Sequence, residues 1–492
     1  MKQIRIPVIF AMILLLLLPV LRADADETRA EELTKKFSFD FGDYQGARYR
    51  IISDEDSYQI FQPNDSFSLT WKESYEGARL CLKWQNAPQG VRVLQYDAEG
   101  TLIETDEIES WYETATPLHA DARKAVVQAG ETDMRVRRCY VYGAGELPEP
   151  FHPWEDTPDH LDYLLISTHP DDDVLFLGSV PPTYGAEQGY VGTVAYVTTA
   201  QYNENRGRIR ISEAENGAWT MGIRYRPVFL NLPDIPEVFA PEERVKFSHD
   251  DVLVNIVRLY RSVRPLVVVS QDTAGEYGHW QHVLVVQCCR EAFTLAADPT
   301  FDPESYEQYG TWQVQKLFLH IYPENTITVE ANTPLSFFNG KTAFEIACDA
   351  FKKHVTQLKS RFYVQKDNEQ YAFNRFGMSE GVVPVGEDVF DNIDETLFYG
   401  YTPPPTPEPT PEPTPEPTTE PTPEPTTEPT PEPTAVPTPE PTSEPTAEPT
   451  PSPVEPEPLK ADRTPMIVLA AAGAVLVALV ILLIVNRKRH AN

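Results

Sequence analysis

The residues best suited to chemistry in this sequence are His169-Pro170-Asp171-Asp172-Asp173, which follow the largely apolar run Leu161–Ser167. A short apolar run with β-branched members is typical of a buried strand, and Pro170 ends regular strand pairing. Side chains just beyond a buried parallel strand lie where open α/β sheets place their ligand sites. One imidazole and three carboxylates at this position predict half of a catalytic metal site.

A second stretch, Gly275-Glu276-Tyr277-Gly278-His279-Trp280-Gln281-His282, follows another apolar run at 266–270. His279 and His282 are three residues apart, one helical turn, so both can face the same point. Together the two stretches supply two imidazoles and one carboxylate for a metal, with a carboxylate and an imidazole to spare. Three protein ligands with an open position are typical of catalytic zinc, which lowers the pKa of its bound water to roughly 7.

The spare groups fit a hydrolytic site, since the carboxylate can take a proton and the imidazole can stabilise an oxyanion. The alternative is a structural role for these residues. A single His after a strand commonly packs in a core, and Asp residues there commonly cap a helix, as we expect for Asp173.

Strands and helices alternate from residue 161 onward, which predicts an α/β domain over residues 161–399 with a Rossmann-like, mostly parallel sheet. The predicted strands are Leu161–Ser167, 191–198, 226–230, 266–270 and 314–321. The predicted helices are 174–188 (interrupted by Pro181-Pro182), 208–223, 250–263, 280–296 and 340–357.

Residues 31–145 have short strand-like runs separated by turn residues, which predict an all-β sandwich. The runs are 36–39, Ala47–Ile52, 67–71, 78–84, 91–96, 124–127 and Met134–Tyr142. The pattern resembles the galactose-binding or discoidin-type jelly roll, which implies a carbohydrate-binding module. Trp111 and Tyr112 form either a sugar-stacking platform or, as is commoner for aromatics, part of the core. Residues 146–160 are acidic and rich in proline, which predicts a linker.

The ends of the chain predict a surface protein with its catalytic domain outside the cytoplasm. Residues 1–25 have the basic start, apolar run and small-x-small site of a signal peptide, the alternative being an uncleaved anchor. Residues 401–458 repeat Pro-Glu-Pro-Thr, which predicts a disordered stalk or plain linker. Residues 466–485 are uncharged and long enough for a transmembrane helix, and 486–492 is a basic cytoplasmic tail. This is the pattern of a single-pass type I protein of the cell membrane.

The formal net charge of −33 argues against nucleic acid as a partner, because phosphate contacts need Lys and Arg. Five cysteines are too few and scattered for a disulfide framework. Cys288 and Cys289 are adjacent in a predicted helix, so their side chains diverge. Cys81 and Cys139 can pair only if the fold brings them together, and no cysteine is expected to bind metal.

Four stretches resemble motifs of the LmbE / PIG-L family of zinc-dependent de-N-acetylases, which have an open α/β fold. The resemblance covers about residues 162–362, and none of the N-terminal domain or stalk. The stretches are His169-Pro170-Asp171-Asp172-Asp173 (AHPDDE), Arg210 to Gly222 (R-x-x-E-x-x-x-A-x-x-x-L-G), Gly275 to His282 (G-x-Y-G-H-P-D-H) and His354-Val355-Thr356-Gln357 (H-x-S-Q).

The resemblance implies a role for each matching residue. The zinc ligands it implies are His169, Asp172 and His282. Asp171 is the implied general base, while His279 stabilises the tetrahedral oxyanion and protonates the leaving amine. The residues implied to contact substrate or the oxyanion are Tyr277, Arg210 and Asp234. Without the resemblance, an i,i+3 surface ion pair between Arg210 and Glu213 is the simpler interpretation.

The sequence departs from the family pattern at two places. Asp173 stands where the family has Glu, and Trp280-Gln281 stands where it has Pro-Asp. A carboxylate at the latter place can orient His279 or raise its pKa, and Gln281 brings no charge. We expect zinc binding to survive this change and the rate and pH optimum to differ.

These observations predict a zinc-dependent cell-surface hydrolase that removes acetyl from N-acetylated amino sugars of the N-acetylglucosaminyl type. The expected partners are an N-acetylated sugar or glycan, the membrane through the C-terminal helix, and the cell wall. One alternative is a surface glycan-binding protein with an inactive hydrolase domain. The other is a zinc amidohydrolase acting on a non-sugar substrate, because pocket loops rather than the metal select the ligand.

Overall fold

The structure is a computed structural model that describes residues 29–54, 57–199, 204–234, 249–394 and 396. The predicted signal peptide, Pro/Glu/Thr stalk, transmembrane helix and cytoplasmic tail lie outside these residues. Within them, no helix combines the length and apolar character needed to cross a bilayer.

The N-terminal part is a sandwich of two antiparallel sheets. Its strands are β1 Ser38–Asp40, β2 Gln59–Phe61, β3 Ser66–Thr70, β4 Arg79–Trp84, β5 Arg92–Tyr96, β6 Leu102–Glu107, β7 Glu113–Pro117, β8 Lys124–Gln128 and β9 Met134–Tyr142. One sheet has the order β1-β3-β8-β5-β6 and the other β2-β9-β4-β7. The prediction of an N-terminal β-sandwich is therefore confirmed.

The sandwich core is formed by every second side chain along the strands, which points inward toward the other sheet. Leu80, Leu82 and Trp84 are all buried, as the alternation in β4 predicts. The Trp84 indole N–H donates to Thr114 Oγ1 at 3.0 Å, which satisfies the polar group of the largest core side chain. Cys81 and Cys139 are buried on the neighbouring strands β4 and β9 as free thiols.

The prediction of a strand at Ala47–Ile52 is wrong, because this segment is helix α1. Ala47 and Ile51 are its buried residues, and their spacing of four matches one helical turn. Strand β6 was not predicted from the sequence. Nearly every side chain on it is exposed, so its residues do not alternate between apolar and polar.

The second part is an α/β domain around a mixed sheet with the order β12-β11-β10-β13-β14-β16-β15. Its strands are β10 Leu161–Ser167, β11 Gly192–Thr198, β12 Val228–Leu232, β13 Pro265–Ser270, β14 Lys316–His320, β15 Thr326–Thr328 and β16 Arg375–Gly381. The first five in this spatial order are parallel, while β16 is antiparallel to both β14 and β15. The mostly parallel sheet is as predicted.

Helices cover both faces of this sheet. They are α2 Asp172–Phe176, α3 Glu204–Thr220, α4 His249–Val263, α5 Trp280–Leu295, α6 Pro303–Tyr309 and α7 Ala343–Phe351. Every residue of β10, β11, β13 and β14 is buried. Leu165 belongs to the core on one face and Leu164 to the core on the other, which is why these strands are continuously apolar.

The predicted helix 174–188 is instead two pieces. Helix α2 is short, and a π-helical turn at Pro181–Glu187 follows it, with the two prolines at its start, where their missing N–H groups cost no hydrogen bond. The predicted helix 340–357 is shorter, ending with α7. Strand β16 was not predicted, because Arg-Phe-Gly-Met-Ser-Glu-Gly has no strand periodicity.

The sandwich packs directly against the α/β domain. Trp111, half-buried, lies under the guanidinium of Arg226 (4.2 Å to the ring centroid) and edge-on to Phe229. Gln85 Nε2 donates to Asn205 Oδ1 at 2.7 Å. Trp111 is thus in neither of its two predicted settings, since it lies between the domains rather than in the sandwich core or on a free platform.

Candidate active site

The two sequence stretches meet at the carboxyl ends of β10 and β13. These strands are parallel neighbours, and the chain runs from β10 to β11 and β12 on one side before β13 forms on the other side. The direction of winding therefore reverses between β10 and β13, and such a switch point leaves a crevice at the strand ends. Gln271, just past β13, accepts a 2.9 Å hydrogen bond from Thr168 N and joins the two strand ends.

Three potential metal donors form a nearly equilateral triangle in this crevice. His169 Nδ1 lies 3.0 Å from Asp172 Oδ2 and 3.2 Å from His282 Nε2. His282 Nε2 is 3.2 Å from the same Asp172 oxygen. All three side chains are almost fully enclosed. The three predicted metal ligands therefore converge, although His282 comes 110 residues after Asp172 in the sequence.

His282 is oriented from behind by a carboxylate that was not singled out from the sequence. Its Nδ1 lies 2.5 Å from Glu276 Oε2, and both side chains are fully buried. Glu276 Oε1 in turn accepts from Asp272 N at 2.7 Å. A carboxylate on Nδ1 fixes the tautomer that leaves Nε2 free to bind a metal, and raises its basicity. Glu276 lies inside the second stretch, so the presence of a carboxylate there was the feature of the sequence that could have identified it as a partner of His282.

His169 is oriented from its other nitrogen. Nε2 lies 3.3 Å from Asp234 Oδ1 and 3.2 Å from Gln281 Oε1. Both are acceptors, so a proton belongs on Nε2, and Nδ1 is the nitrogen that faces the triangle and can bind a metal once its own proton is displaced. The Gln281 side chain, where the family pattern has Asp, thus contacts His169. The predicted contact of Asp234 with substrate stays a prediction.

Asp171 has a left-handed backbone, φ 105°, which is strained for a residue with a side chain. Its N–H donates to Asp173 Oδ1 at 3.2 Å, and Asp173 Oδ2 accepts from the Tyr196 hydroxyl at 2.8 Å. Asp173 is fully buried, so this chain holds the Asp171 backbone in place. The expectation that Asp173 caps a helix is wrong, because Asp171 is the N-cap of α2 and Asp173 lies inside the helix, where its carboxylate supports the Asp171 backbone instead.

Arg210 is buried on α3 and pairs with Asp171, Nη2 to Oδ1 at 2.8 Å, while also donating to the Pro170 carbonyl. The alternative of a surface ion pair with Glu213 is wrong, because both side chains are enclosed. Glu213 instead accepts from the backbone N–H and hydroxyl of Thr356, both at 2.7 Å. Among the described residues, Arg210 Nε and Nη1 have no hydrogen-bond partner.

His279 is the N-cap of α5, and its Nδ1 accepts from Gln281 N at 3.3 Å. Its ring centroid is 4.9 Å from that of His169 and 4.8 Å from that of His282. Tyr277 stands edge-on to both His279 and His282. Ligand atoms of the three imidazoles all lie within 4.8 Å of one another, so this cluster can hold a metal ion.

His354, from the fourth stretch, packs against α3 with no exposed surface. A Cβ at position 217 would lie 2.7 Å from His354 Nε2, so Gly217 is what allows this approach. Neither ring nitrogen has a hydrogen-bond partner among the described residues. Burial and the nearby Arg210 lower the pKa of His354 to about 3, so the ring is neutral.

The electrostatics of the crevice favour a cation at the triangle. Burial by itself lowers the pKa of His169, but Asp172 and Asp234 raise it overall to about 10. The pKa of His282 is likewise raised to about 9, against burial, by Asp172 and Glu276. Burial opposes ionisation of Asp172, yet His282 and His169 hold its pKa well below the ordinary value. With these pKa values both imidazoles hold a second proton near neutral pH, so a metal ion would bind at the triangle by displacing those protons.

A tetrahedral zinc ion fits this donor set. Ligand bonds of about 2.0–2.2 Å at tetrahedral angles separate the donor atoms by roughly 3.3 Å, close to the 3.0–3.2 Å found here. Two imidazoles and one carboxylate are a common catalytic zinc set, and both imidazoles have an acceptor on the remote nitrogen. The residues present can hold the ion.

We expect Glu276→Gln to weaken metal affinity about 10- to 100-fold, because an amide neither fixes the His282 tautomer nor raises its basicity. Metal affinity is measured by competition with a chelator of known strength. Glu215→Gln is the matched control, since Glu215 is equally enclosed (2% exposed) but lies outside the crevice. Equal metal affinity in both variants would show that Glu276 does not support the site.

We expect Tyr196→Phe to lower the free energy of unfolding by about 1.5–3 kcal/mol, the usual contribution of a hydrogen bond to a charged group. Burial raises the pKa of Asp173 to about 7, so the denaturant titration is run near pH 8.5, where the carboxyl is ionised. Tyr260→Phe is the control, because its hydroxyl makes only a 3.5 Å contact to a carbonyl. Equal losses would contradict the supporting role of Tyr196.

Comparison with known proteins gives one match to a family model. The model described as "PIG-L: GlcNAc-PI de-N-acetylase" matches residues 164–293. The chain is also similar to 1D-myo-inositol 2-acetamido-2-deoxy-alpha-D-glucopyranoside deacetylase 1 of Catenulispora acidiphila. The two are 27% identical over 188 residues, 33% of this chain and 57% of that protein. The chain thus spans little more than half the length of this curated relative.

Two solved structures are similar in fold to separate parts of the chain. N,N'-diacetylchitobiose deacetylase from Pyrococcus horikoshii is 18% identical and covers 45% of this chain and 84% of its own, with a TM-score of 0.33. A fucose binding module from Streptococcus pneumoniae is 14% identical and covers 22% of this chain and 94% of its own, with a TM-score of 0.19. With TM-scores this low, neither likeness indicates a function.

Proposed function

Because residues 164–293 form a domain of the PIG-L / LmbE family, we propose that the chain is a zinc-dependent hydrolase that removes acetyl from N-acetylated amino sugars. The products are acetate and a free amine. The observation that carries the proposal is the donor triangle of His169, Asp172 and His282 with the Asp171 carboxylate beside it.

Zinc bound in the triangle would polarise the amide carbonyl and make a bound water more acidic. The ion would be bound by His169, Asp172 and His282, whose donor atoms converge. The ring nitrogen of each imidazole that points away from the ion faces a hydrogen-bond acceptor. Their burial also excludes bulk water, which strengthens every charge interaction in the crevice.

Asp171 is the proposed general base. Burial raises its pKa, Arg210 and His169 lower it, and the balance lies at about 6. A base with a pKa near the working pH is mostly ionised and still has affinity for a proton. The Arg210 contact and the strained backbone fix the direction of the carboxylate, so little reorganisation is needed when it accepts the proton of the attacking water.

His279 is the proposed donor to the developing oxyanion. Because Nδ1 accepts from Gln281 N, the ring proton lies on Nε2, which can donate. Burial and the two neighbouring imidazoles lower the pKa of His279 to about 3. A neutral ring is suited to donating a hydrogen bond to the oxyanion. Asp171, once protonated, is then the better source of the proton that the leaving amine needs.

The substrate, location and partners are parts of this proposal. The curated relative is named as a deacetylase of a 2-acetamido-2-deoxy-glucopyranoside, which supports an N-acetylglucosaminyl group as the substrate. Placement at the cell surface, with contact to membrane and wall glycans, is supported by the apolar run at 466–485 and the signal-like residues 1–25.

The test is acetate release by the full-length chain from a panel of N-acetylglucosaminyl compounds, with bound metal measured on the same sample. We expect about one zinc per chain, acetate from at least one compound, loss of turnover after chelation, and recovery when zinc is returned. Zinc-loaded protein that releases no acetate from any compound, while still folded, would contradict the proposal.

A further inference from the structure

A buried histidine that belongs to neither catalytic stretch lies behind the donor triangle. His320 is the last residue of β14, the parallel neighbour of β13, and its side chain has no exposed surface. Because β10, β13 and β14 are parallel, their carboxyl ends lie at the same edge of the sheet. His320 therefore approaches, from a third strand, the segments that carry His169 and His282.

His320 contacts the carboxylate that orients His282. Its Nδ1 lies 3.4 Å from Glu276 Oε1, and the other oxygen of that carboxylate, Oε2, lies 2.5 Å from His282 Nδ1. All three side chains are fully enclosed. A continuous row of contacts therefore leads from the end of β14 through Glu276 to the metal donor His282 Nε2.

Contacts on its other sides fix the His320 ring. Nε2 donates to the Ala372 carbonyl at 3.1 Å, since a carbonyl oxygen can only accept. Phe176 and Phe376 pack around the ring, with centroids 5.3 and 6.5 Å away. Nδ1 has no hydrogen-bond partner among the described residues, so the 3.4 Å approach to Glu276 is a contact between charged groups rather than a full hydrogen bond.

The Glu276 carboxylate is a buried charge, which is stable only with partners on both oxygens. Burial opposes its ionisation, yet His282 and His320 hold its pKa below the ordinary value. Oε1 also accepts from Asp272 N at 2.7 Å, but this group is uncharged. A lone pair on His320 Nδ1 would repel this oxygen, so a proton belongs on Nδ1 and gives the ring a positive charge.

Metal binding increases the need for this charge. When His282 binds a metal through Nε2 it gives up one proton, so its ring becomes neutral while Nδ1 still donates to Glu276. His320 keeps its charge in this step, because it contacts Glu276 and not the metal. It can therefore hold the carboxylate on His282 Nδ1 in the metal-bound state, where that contact sets the tautomer and the basicity of the ligand.

We propose that His320 is a positioning residue of the metal site. It acts through Glu276, whose carboxylate it holds in the orientation that presents His282 Nε2 to the metal. The inference rests on the proposed zinc site but not on the identity of the substrate, because metal affinity is measured without turnover. It extends the support of the site from two strand ends to three.

The test is the zinc affinity of the full-length chain, measured by competition with a chelator of known strength, in variants that separate the two nitrogens of His320. The amide nitrogen of asparagine reaches the position of Nδ1, and that of glutamine reaches the position of Nε2. We expect His320→Gln, which keeps only the donor to Ala372, to weaken zinc binding about tenfold, the lower end of the range for an outer-shell partner. His320→Asn keeps the donor to Glu276 and should recover part of that loss.

Two comparisons separate positioning from packing. In a Glu276→Gln background, His320→Gln should cause no further loss of zinc affinity, because the group through which it acts is gone. Phe376→Leu is the matched control, since it disturbs the packing around the same ring and removes no nitrogen. We expect this control to lower the melting temperature and to leave zinc affinity unchanged. Thermal melts of all variants verify folding.

Wild-type zinc affinity in His320→Gln would overturn the inference and leave the proposed function intact. Equal losses in His320→Asn and His320→Gln would show that Nδ1 is not the nitrogen that matters. An equal loss in Phe376→Leu, or an undiminished loss in the Glu276→Gln background, would reduce His320 to a packing residue. A wild-type chain that binds no zinc would overturn the proposed function together with the inference.

Discussion

Asp171→Asn is expected to lower kcat for acetate release by about 10²–10⁴-fold, the usual contribution of a general base. Asparagine has nearly the same shape and can still accept from Arg210, but its amide cannot take a proton from water. Bound zinc is expected to stay at the wild-type level, because Asp171 is outside the donor triangle. The measurement is single-substrate kinetics together with metal analysis of the same preparation.

Asp121→Asn is the control for this change, since Asp121 is an exposed carboxylate on the sandwich. It should leave both kcat and metal content unchanged. If Asp171→Asn retained more than about a tenth of the wild-type kcat, general-base catalysis by Asp171 would contribute less than this class of step usually does. Loss of zinc in Asp171→Asn would instead place this residue among the ligands.

His282→Ala is expected to weaken zinc binding by more than about 100-fold, the upper range for removal of an outer-shell partner, because a direct donor is lost. It also leaves the Glu276 carboxylate buried without its closest partner, which is costly in itself. We therefore expect turnover below detection and a lower melting temperature. The measurements are metal content after dialysis, acetate release and thermal unfolding.

His152→Ala separates loss of a ligand from loss of packing. His152 stacks on Trp219 at 4.7 Å, is hydrogen-bonded through Nε2 to Asn216 Oδ1 at 2.7 Å and lies away from the crevice, so its removal costs packing and one hydrogen bond but no metal donor. Burial lowers the pKa of His152 to about 4, so its removal also removes no charge near neutral pH. If His152→Ala lost as much zinc as His282→Ala, the loss would be a consequence of destabilisation. Retained zinc in His282→Ala would exclude it as a ligand.

The positions of the two catalytic stretches could be predicted from the sequence because both follow buried strands. Strand β10 has the predicted bounds, and β13 begins one residue earlier than predicted. Because β10 and β13 are parallel, their carboxyl ends lie at the same edge of the sheet, and the segments that carry His169 and His282 therefore begin next to each other. The roles of individual residues came from the family resemblance, and their assignment stays a prediction.

The orienting residues could not be predicted from spacing alone. Glu276 contacts His282 within the segment that follows β13, Gln271 accepts from the Thr168 backbone N–H at the end of the neighbouring strand β10, and Tyr196 reaches Asp173 from β11. Such contacts depend on the twist of the sheet and on the loop conformation, which leave no periodic pattern in the sequence. The position of Gln281 beside His169 also depended on the fold, since the sequence alone suggested an effect on His279.

The errors in the fold arose where periodicity was weak or ambiguous. Ala47–Ile52 is too short for helical spacing to be told from strand alternation, and β-branched Ile51 and Ile52 favoured a strand. Strand β6 is exposed, and β16 contains two glycines. The two predicted positions of Trp111 were based on its residue type alone, whereas in the structure it contacts Arg226 and Phe229 of the other domain.

The central claim is that His169, Asp172 and His282 hold one catalytic zinc ion. It is tested most directly by X-ray diffraction from zinc-loaded crystals of the full-length chain, with anomalous data on both sides of the zinc edge. We predict one anomalous peak bonded to His169 Nδ1, His282 Nε2 and an Asp172 carboxylate oxygen, with His279 unbonded. A peak that includes His279 in place of one of these donors, or no peak in the crevice, would contradict the account.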